Sequence, residues 1–296
     1  MIEKRYFMYL LLILFSLSPL SAEDSGMLYF WHLKTDNAEA WLTGSIHMLN
    51  ENFYPLPEKI ETAFNGADYL VVEVNTAEID QRTMLALFRE KGIFTDGTRI
   101  QDLLTEEQNR QLEEILLGMD LNPKMFQFYK PWFLSMVIPV YQMMEAGYDS
   151  DAGLDNWFMA RASAQGKTIL ELETAEYQIS IFSNMDMDLQ ISLLLETLED
   201  SDLSIDFLSD MEYCWKTGDT DGMNDIINAG FDCESGAYLY DKTIRQRNIQ
   251  MTGNIDSMLK AGGTYFIVVG AGHFAGEDSI VNLLLKKDYN VEQVSR

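Results

Sequence analysis

Two nearly unbroken apolar runs constrain this chain more than any other feature. Tyr69-Leu-Val-Val and Tyr265-Phe-Ile-Val-Val lie at opposite ends of the sequence and offer no polar residue to face water. Each reads as a strand buried on both faces, the pattern of a sheet covered by helices. Further strand signals, short, apolar or β-branched and bounded by Gly, Asp or Asn, fall at 28–33, 40–43, 69–74, 168–172, 265–269 and 290–294. Between them the pattern turns helical. Pro57, read as the first helical residue, opens a helix to about Asn65. Thr105-Glu-Glu-Gln108 is a capping box for a helix to about Leu117. Pro131 opens a very apolar helix to about Glu145, too short to cross a bilayer and read as a core helix. The expectation is an α/β fold. A central mixed sheet is formed by N- and C-terminal strands, and a long, largely helical middle region (79–165 and 175–260) covers it. No Pro-, Gly- or Ser-rich linker divides the chain, so residues 23–296 are expected to form a single domain with a helical insertion.

Residues 1–22 stand apart from this pattern. Lys4 and Arg5 precede an apolar run from Tyr6 to Leu17, followed by Ser18-Pro-Leu-Ser-Ala22 and the acidic Glu23-Asp24. This order reads as a signal peptide and predicts an exported protein, periplasmic or secreted, with no stable membrane span after cleavage. Asp and Glu outnumber Lys and Arg 47 to 21, for a formal charge of −26. Such a surface repels phosphate, which argues against nucleic acid and against anionic membranes as partners. Cys214 and Cys233 would meet an oxidising compartment and are a disulfide candidate pair.

Chemistry is concentrated in a few residues. Two of the three histidines share one local pattern: Trp41-Leu-Thr-Gly44-Ser-Ile-His47 and Tyr265-Phe-Ile-Val-Val-Gly270-Ala-Gly-His273 both read as strand, then Gly-x-x-His. A histidine just past the carboxyl end of a buried strand stands where open α/β sheets place their ligand crevice. If the two strands are neighbours, His47 and His273 face one pocket. His32 lies inside an aromatic strand and reads as structural. Glu73 ends a buried strand, so it must either bind a metal or pair with an arginine or backbone N–H groups. Glu173 ends another strand and can reach the same crevice, whereas Glu171 alternates to the other face. Asp155, in Asp151-Ala-Gly-Leu-Asp155, reads as a helix-capping residue. Arg247-Asn248 form one of few basic spots, either a solvated helix face or a clamp for an anion. No nucleophile elbow, P-loop, dinucleotide fingerprint, His-Glu-x-x-His helix or Cys-x-x-Cys pair occurs.

These segments, in this order, resemble the TraB/PrgY/GumN family. The resemblance begins with Gly44-Ser-Ile-His-Met-Leu, Phe53-Tyr-Pro-Leu-Pro57, Ile60-Glu-Thr-Ala-Phe64 and Ala67-Asp-Tyr-Leu-Val-Val-Glu73. Lys130-Pro-Trp132, Gly153-Leu-Asp155, Leu172-Glu173-Thr174 with Gln178, and Arg247-Asn248 follow. It closes with Gly270-Ala-Gly-His273-Phe-Ala-Gly276, Val281-Asn-Leu-Leu and Tyr289-Asn-Val-Glu292. That family is similar to the TIKI proteins, metal-dependent peptidases with two Gly-x-x-His motifs and an acidic position. The resemblance implies His47, Glu73 and His273 as metal and catalytic residues, with Arg247 and Glu173 as further members of the site.

The expected activity is metal-dependent hydrolysis, most simply of a peptide or protein substrate. Two imidazoles and a carboxylate would hold a divalent metal (manganese, cobalt or zinc) with positions left open for water. In this scheme Glu73, Glu173 and Arg247 are catalytic, Arg247 and Asn248 contact substrate, and Glu173 is a general base or a support. The alternative is a binding protein that sequesters a peptide or other ligand in the same pocket. Its groove would be lined by Phe126, Phe128, Tyr129, Trp132 and Phe133, unless that stripe is ordinary core. Haem held by the histidines is a third reading, without an attachment motif to support it.

Overall fold

The computed structural model describes residues 25–199, 204–233 and 235–296; the expected signal segment 1–22 lies outside them. The chain enters through a hairpin, β1 (Met27–Lys34) and β2 (Ala38–Ser45). Thr35 closes its turn, its hydroxyl accepting from Ala38 N at 2.9 Å. Helix α1 (Glu58–Gly66) leads to β3 (Tyr69–Val72). A helical stretch follows: α2 (Gln81–Gly92), α3 (Glu106–Gly118), α4 (Pro131–Glu145) and α5 (Leu154–Gln165). After β4 (Thr168–Glu171) come α6 (Ala175–Ser183), α7 (Met187–Glu199), α8 (Ser204–Thr217), α9 (Thr220–Gly230) and α10 (Gly236–Leu239). A π-turn at Tyr240–Arg245 joins α10 to α11 (Gln246–Ala261); β5 (Gly263–Gly270), α12 (Ile280–Leu285) and β6 (Val291–Ser295) close the chain.

The sheet is mixed and six-stranded, in the order β4-β3-β5-β2-β1-β6. All six strands coincide with the segments expected from sequence, and the ends of the chain do share one sheet. β4, β3, β5 and β2 run parallel, while β1 is antiparallel to both β2 and β6. β5 is inserted between β2 and β3, which explains its wholly apolar character: Phe266, Ile267, Val268 and Val269 are each at most 1 % exposed. Phe30, Phe64, Phe158 and Phe266 pack together around it.

The helical middle has its own apolar clusters. Trp132, Leu134 and Ile138 are fully buried, so α4 is the core helix its composition predicts. Thr105 and Gln108 form the expected capping box of α3. Three expectations need correcting. Pro57 is not the first helical residue but the cap that precedes α1, with ψ of 135°. β3 ends at Val72 rather than Val74, although Glu73 O still accepts from Glu173 N at 2.9 Å. Cys214 and Cys233 are free thiols, not a bridge. Cys214 packs near Gly222 in the first turn of α9. Cys233 lies past that helix's far end, within 3.9 Å of Gly230 O. The span of an 11-residue helix, roughly 15 Å, exceeds the ~7 Å limit between bridged Cα atoms.

One glycine fixes how closely the edge of the sheet packs. A Cβ at Gly44 would stand 2.7 Å from the Tyr29 ring and 2.8 Å from Ala271 Cα. The backbone of Ala271 has nowhere to yield, since Tyr29 Oη already donates to its carbonyl at 2.9 Å. Gly44→Ala is therefore expected to cost about 1–3 kcal/mol through overpacking. Urea unfolding should show a lower midpoint with an unchanged slope.

Candidate active site

Register brings the two Gly-x-x-His motifs together. β2 and β5 are parallel neighbours, and Ser45 pairs with Gly270. Both strands end at one level and each runs on into its histidine. β3 ends at the same edge, with Val72 opposite Val268, so Glu73 emerges beside them. The crevice outside the carboxyl ends of parallel strands thus holds His47, Glu73 and His273, as this class of sheet favours.

Each imidazole is held by its Nδ1. His47 Nδ1 is hydrogen-bonded to the Asp155 carboxylate, which can only accept when ionised, so this nitrogen carries the proton. Asp155 reaches it because α5 docks its N-terminus on the exit of β2: Leu154 N donates to Ile46 O at 3.0 Å. Gly153 permits that approach, since a Cβ there would stand 2.1 Å from His47 O. On the other side, His273 Nδ1 lies 2.6 Å from Asn248 Oδ1. The Asn248 amide nitrogen donates to Asp278 O at 2.7 Å and His273 O at 3.4 Å. Its oxygen therefore faces the ring, and His273 Nδ1 is again the protonated nitrogen. Both Nε2 atoms carry a lone pair in the neutral rings. A Cβ at Gly270 would stand 3.2 Å from Glu73 Oε1, 3.4 Å from His273 Cδ2 and 3.5 Å from His47 Nε2.

The carboxylates are bound as tightly as the rings. Glu73 Oε1 accepts from Gly270 N at 2.6 Å and lies 3.6 Å from His273 Nε2. Glu73 Oε2 accepts from Gln178 Nε2 at 2.9 Å and from Arg247 Nη2. Arg247 Nε donates to both oxygens of Glu173, at 2.9 and 3.2 Å, and Gln178 bridges to Glu173 at 3.1 Å. Glu73 thus has the arginine and backbone partners that its position demands. Burial is the largest single influence on the Glu73 carboxyl and raises its pKa, but Arg247, the two histidines and the Gly270 N–H together outweigh it and hold the group far below the carboxylate range. Burial and the Arg247 charge lower His273 to about 3. Burial also disfavours charged His47, yet the charge and hydrogen bond of Asp155 prevail, and its pKa is raised. The same motif therefore gives two differently poised rings.

The structure brings His47, Glu73, Arg247 and His273 onto the wall of one cavity. Glu173 and Asn248 are buried behind that wall, against Arg247 and His273 respectively. Arg247 is 4 % exposed, so the solvated-face reading is overturned. Asp155 is not a cap: Gly153 takes that position in α5, and the carboxylate serves His47 instead. Sequence pattern marks Gln178 only as part of a short family-like segment, and Asp155 as such and as a cap. None of Phe126, Phe128, Tyr129, Trp132 and Phe133 lines the cavity. His32 is structural as expected, stacked on Trp41 at 3.9 Å and bonded to Glu39 at 2.7 Å.

Among the described residues, no group of three or more His, Cys, Asp or Glu side chains stands in metal-holding geometry. The donor types nevertheless suit a borderline divalent cation: two bare imidazole nitrogens with Nδ1 anchored to oxygen acceptors, and a carboxylate beside them. No helix among the described residues is long and apolar enough to cross a membrane.

A parallel-edged α/β sheet with paired histidines, a buried carboxylate and an arginine at its carboxyl end defines the class of protein. The sequence model of the TraB/PrgY/gumN family matches residues 29–293, and the chain belongs to that family. It is 28 % identical over 250 residues to the uncharacterized protein YbaP of Escherichia coli K12, covering 84 % of this chain and 88 % of YbaP. The same figures hold for YbaP of Shigella flexneri. A shorter stretch of 60 residues is 38 % identical to a metalloprotease TIKI homolog of Amphimedon queenslandica, covering 20 % of this chain and 12 % of that protein. No solved structure matches significantly.

Removing Arg247 should expose what the carboxylates cost. Arg247→Met leaves Glu73 and Glu173 buried without a cation, an expected loss of about 3–5 kcal/mol at pH 7. In the parent, the depressed Glu73 pKa contributes stability above its ordinary value of 4.5, lost as pH falls toward the folded value. In the variant, protonation relieves the repulsion. The difference in urea unfolding free energy should therefore shrink as pH falls from 7 to 4.5; an equal difference at both pH values would contradict charged carboxylates.

Proposed function

We propose that this protein is an exported metal-dependent hydrolase, acting as a peptidase. His47 and His273 hold a divalent cation (zinc, manganese or cobalt) through their Nε2 atoms, with Glu73 beside them. The observation that carries this reading is the matched anchoring of both rings. Each Nδ1 is hydrogen-bonded to an oxygen acceptor, both rings line the cavity, and His273 Nε2 lies 3.6 Å from Glu73 Oε1. The bound cation supplies the Lewis acidity that makes water nucleophilic at neutral pH.

The chain's own residues have defined tasks. Asp155 and Asn248 fix ring orientation and tautomer. Glu73 stays ionised and sets the negative charge of the site. Arg247 faces the cavity with its cation, ready for the oxyanion that develops on a carbonyl or for a substrate carboxylate. Glu173 and Gln178 hold Arg247 and Glu73 in place. Hydrolysis then adds water across the amide: oxygen bonds to the carbonyl carbon, the C–N bond breaks, and the nitrogen takes up a proton. The peptide as substrate rests on the similarity to the metalloprotease TIKI homolog, and export rests on the pattern of residues 1–22.

A second reading, a protein that sequesters a peptide or other ligand without cleaving it, is favoured by one observation. Both oxygens of Glu73 are already hydrogen-bonded.

Elemental mass spectrometry of the purified protein, beside His47→Ala and His273→Ala, separates the two. About one metal equivalent in the parent, lost in both variants, is the expected result. An apo parent that stays metal-free after addition of zinc, manganese or cobalt would overturn the hydrolase and leave the binding protein. Asp155→Asn should keep the fold and weaken metal affinity about 10–100-fold, measured by competition with a chelator.

A further inference from the structure

The cavity does not end at the polar groups. It runs from His47 and His273 into the helical layer, with a volume of about 100 Å³. Its far wall is built from Met136 of α4, Phe182 of α6, Leu193 of α7, Phe207 of α8, Phe231 after α9, and Leu239 of α10. Two hydroxyls interrupt that wall, Ser135 and Thr243. Both protons are committed to the backbone: Ser135 Oγ donates to Trp132 O at 2.8 Å and Thr243 Oγ1 to Leu239 O at 2.7 Å. The charged groups at the near end are paired with one another. Among the described residues that line the far wall, none carries a charged side chain, and neither hydroxyl has a proton left to donate. A polar or charged side chain would lose its water there without replacement. An apolar one would lose nothing and gain dispersion contacts.

Size narrows the choice further. An apolar cavity of ~150 Å³ takes benzene; this one is smaller and suits an aliphatic or thioether group. Its ceiling is set partly by two isoleucines over the turn that carries His273. A Cβ at Gly272 would stand 3.0 Å from Ile227 Cδ1 and 3.8 Å from Ile244 Cδ1. The polar and apolar ends are walls of one cavity. A residue whose carbonyl lies against Arg247 and the two histidines thus places its side chain in the chamber.

We propose that this chamber is a specificity pocket that takes one apolar side chain of leucine or methionine size from a residue flanking the cleaved bond, with Ile227 as a residue that sets its depth. The assignment deepens the peptidase reading and rests on it. Peptides randomised on either side of a single bond, offered to the purified protein with zinc, manganese or cobalt, test it first. Leu and Met at one flanking position should exceed Ala by about 10-fold or more in kcat/KM, and Asp by about 100-fold. Ile227→Ala should raise Phe relative to Leu by about 10-fold. A second measurement needs neither metal nor turnover: binding of N-acetyl-leucinamide and N-acetyl-aspartamide to the metal-free protein, followed by NMR. The leucine compound alone should bind, and Leu193→Trp should abolish it. Cleavage without preference at either position, or equal binding of both amides, overturns the pocket and leaves the hydrolase standing. Failure to cleave any peptide while leucinamide still binds selectively overturns the peptidase on which the pocket rests, and marks a ligand-holding chamber instead.

Discussion

The ion cluster of Arg247 between Glu73 and Glu173 is the constraint on which the rest of this site depends. Three charges lie almost wholly out of water, an arrangement that costs desolvation for every member and is stable only if each is fully paired. The pairing is complete: a guanidinium along one edge of Glu173 and onto Glu73, Gln178 across both carboxylates, and the Gly270 N–H on the remaining Glu73 oxygen. Each partner comes from a different element. β3, the segment after β4, α6, α11 and the end of β5 must all be in register before any of these charges can be buried. The cluster thus ties the helical middle of the chain to the sheet edge where the histidines stand.

Strand order explains why motifs so distant in sequence share one crevice. The chain places β2, passes through α1, and sets β3 one position too far to pair with it. β5 fills that position at the end of the chain. The first Gly-x-x-His, the carboxylate after β3 and the second Gly-x-x-His are then three consecutive exits at one edge. Glycine at Gly270 leaves room for Glu73 Oε1, which would stand a tight 3.2 Å from a Cβ there. It is needed at Gly44 because Tyr29 and Ala271 close on it. The repeated pattern reflects two different close approaches in one structural setting.

Much of this was legible in the sequence, for physical reasons. Buried parallel strands must be apolar throughout, so Tyr69–Val72 and Tyr265–Val269 stand out against a chain rich in acidic residues. The Thr105 capping box and Pro131 are local signals, and each opens its helix as the sequence predicts. The histidines are legible because a glycine just past a buried strand lets the backbone turn sharply at the edge where open α/β sheets place their crevice. Asp155 was not legible as the partner of His47, because a carboxylate at a helix start has a local use that sequence cannot distinguish from a distant one. Glu73 could be read as requiring a partner, but the pairing geometry that satisfies it arises only from strand order. The aromatic stripe 126–133 misdirects for a similar reason: aromatic residues at helical spacing say that a face is buried, not against what. The chamber beside the site is built one or two residues at a time from six helical segments, and no window of sequence contains it.

The π-turn before α11 completes the account of how one helix serves both halves of the site. Arg247 and Asn248 are adjacent, so on a helix their side chains diverge by about 100°, yet both are buried. One points to the carboxylates and the other to His273 and Asp278. This requires the N-terminal turn of α11 to be enclosed on two sides, by the exits of β3 and β4 and by the turn after β5. The widened turn at Tyr240–Arg245 is where such insertions commonly accompany functional sites. Its backbone also takes part directly, since Arg247 Nη1 donates to Thr243 O at 3.3 Å. A shift of this turn would move the guanidinium and the anchor of the His273 ring together. The charge balance of Glu73 and the orientation of the imidazole are therefore coupled mechanically by two consecutive residues.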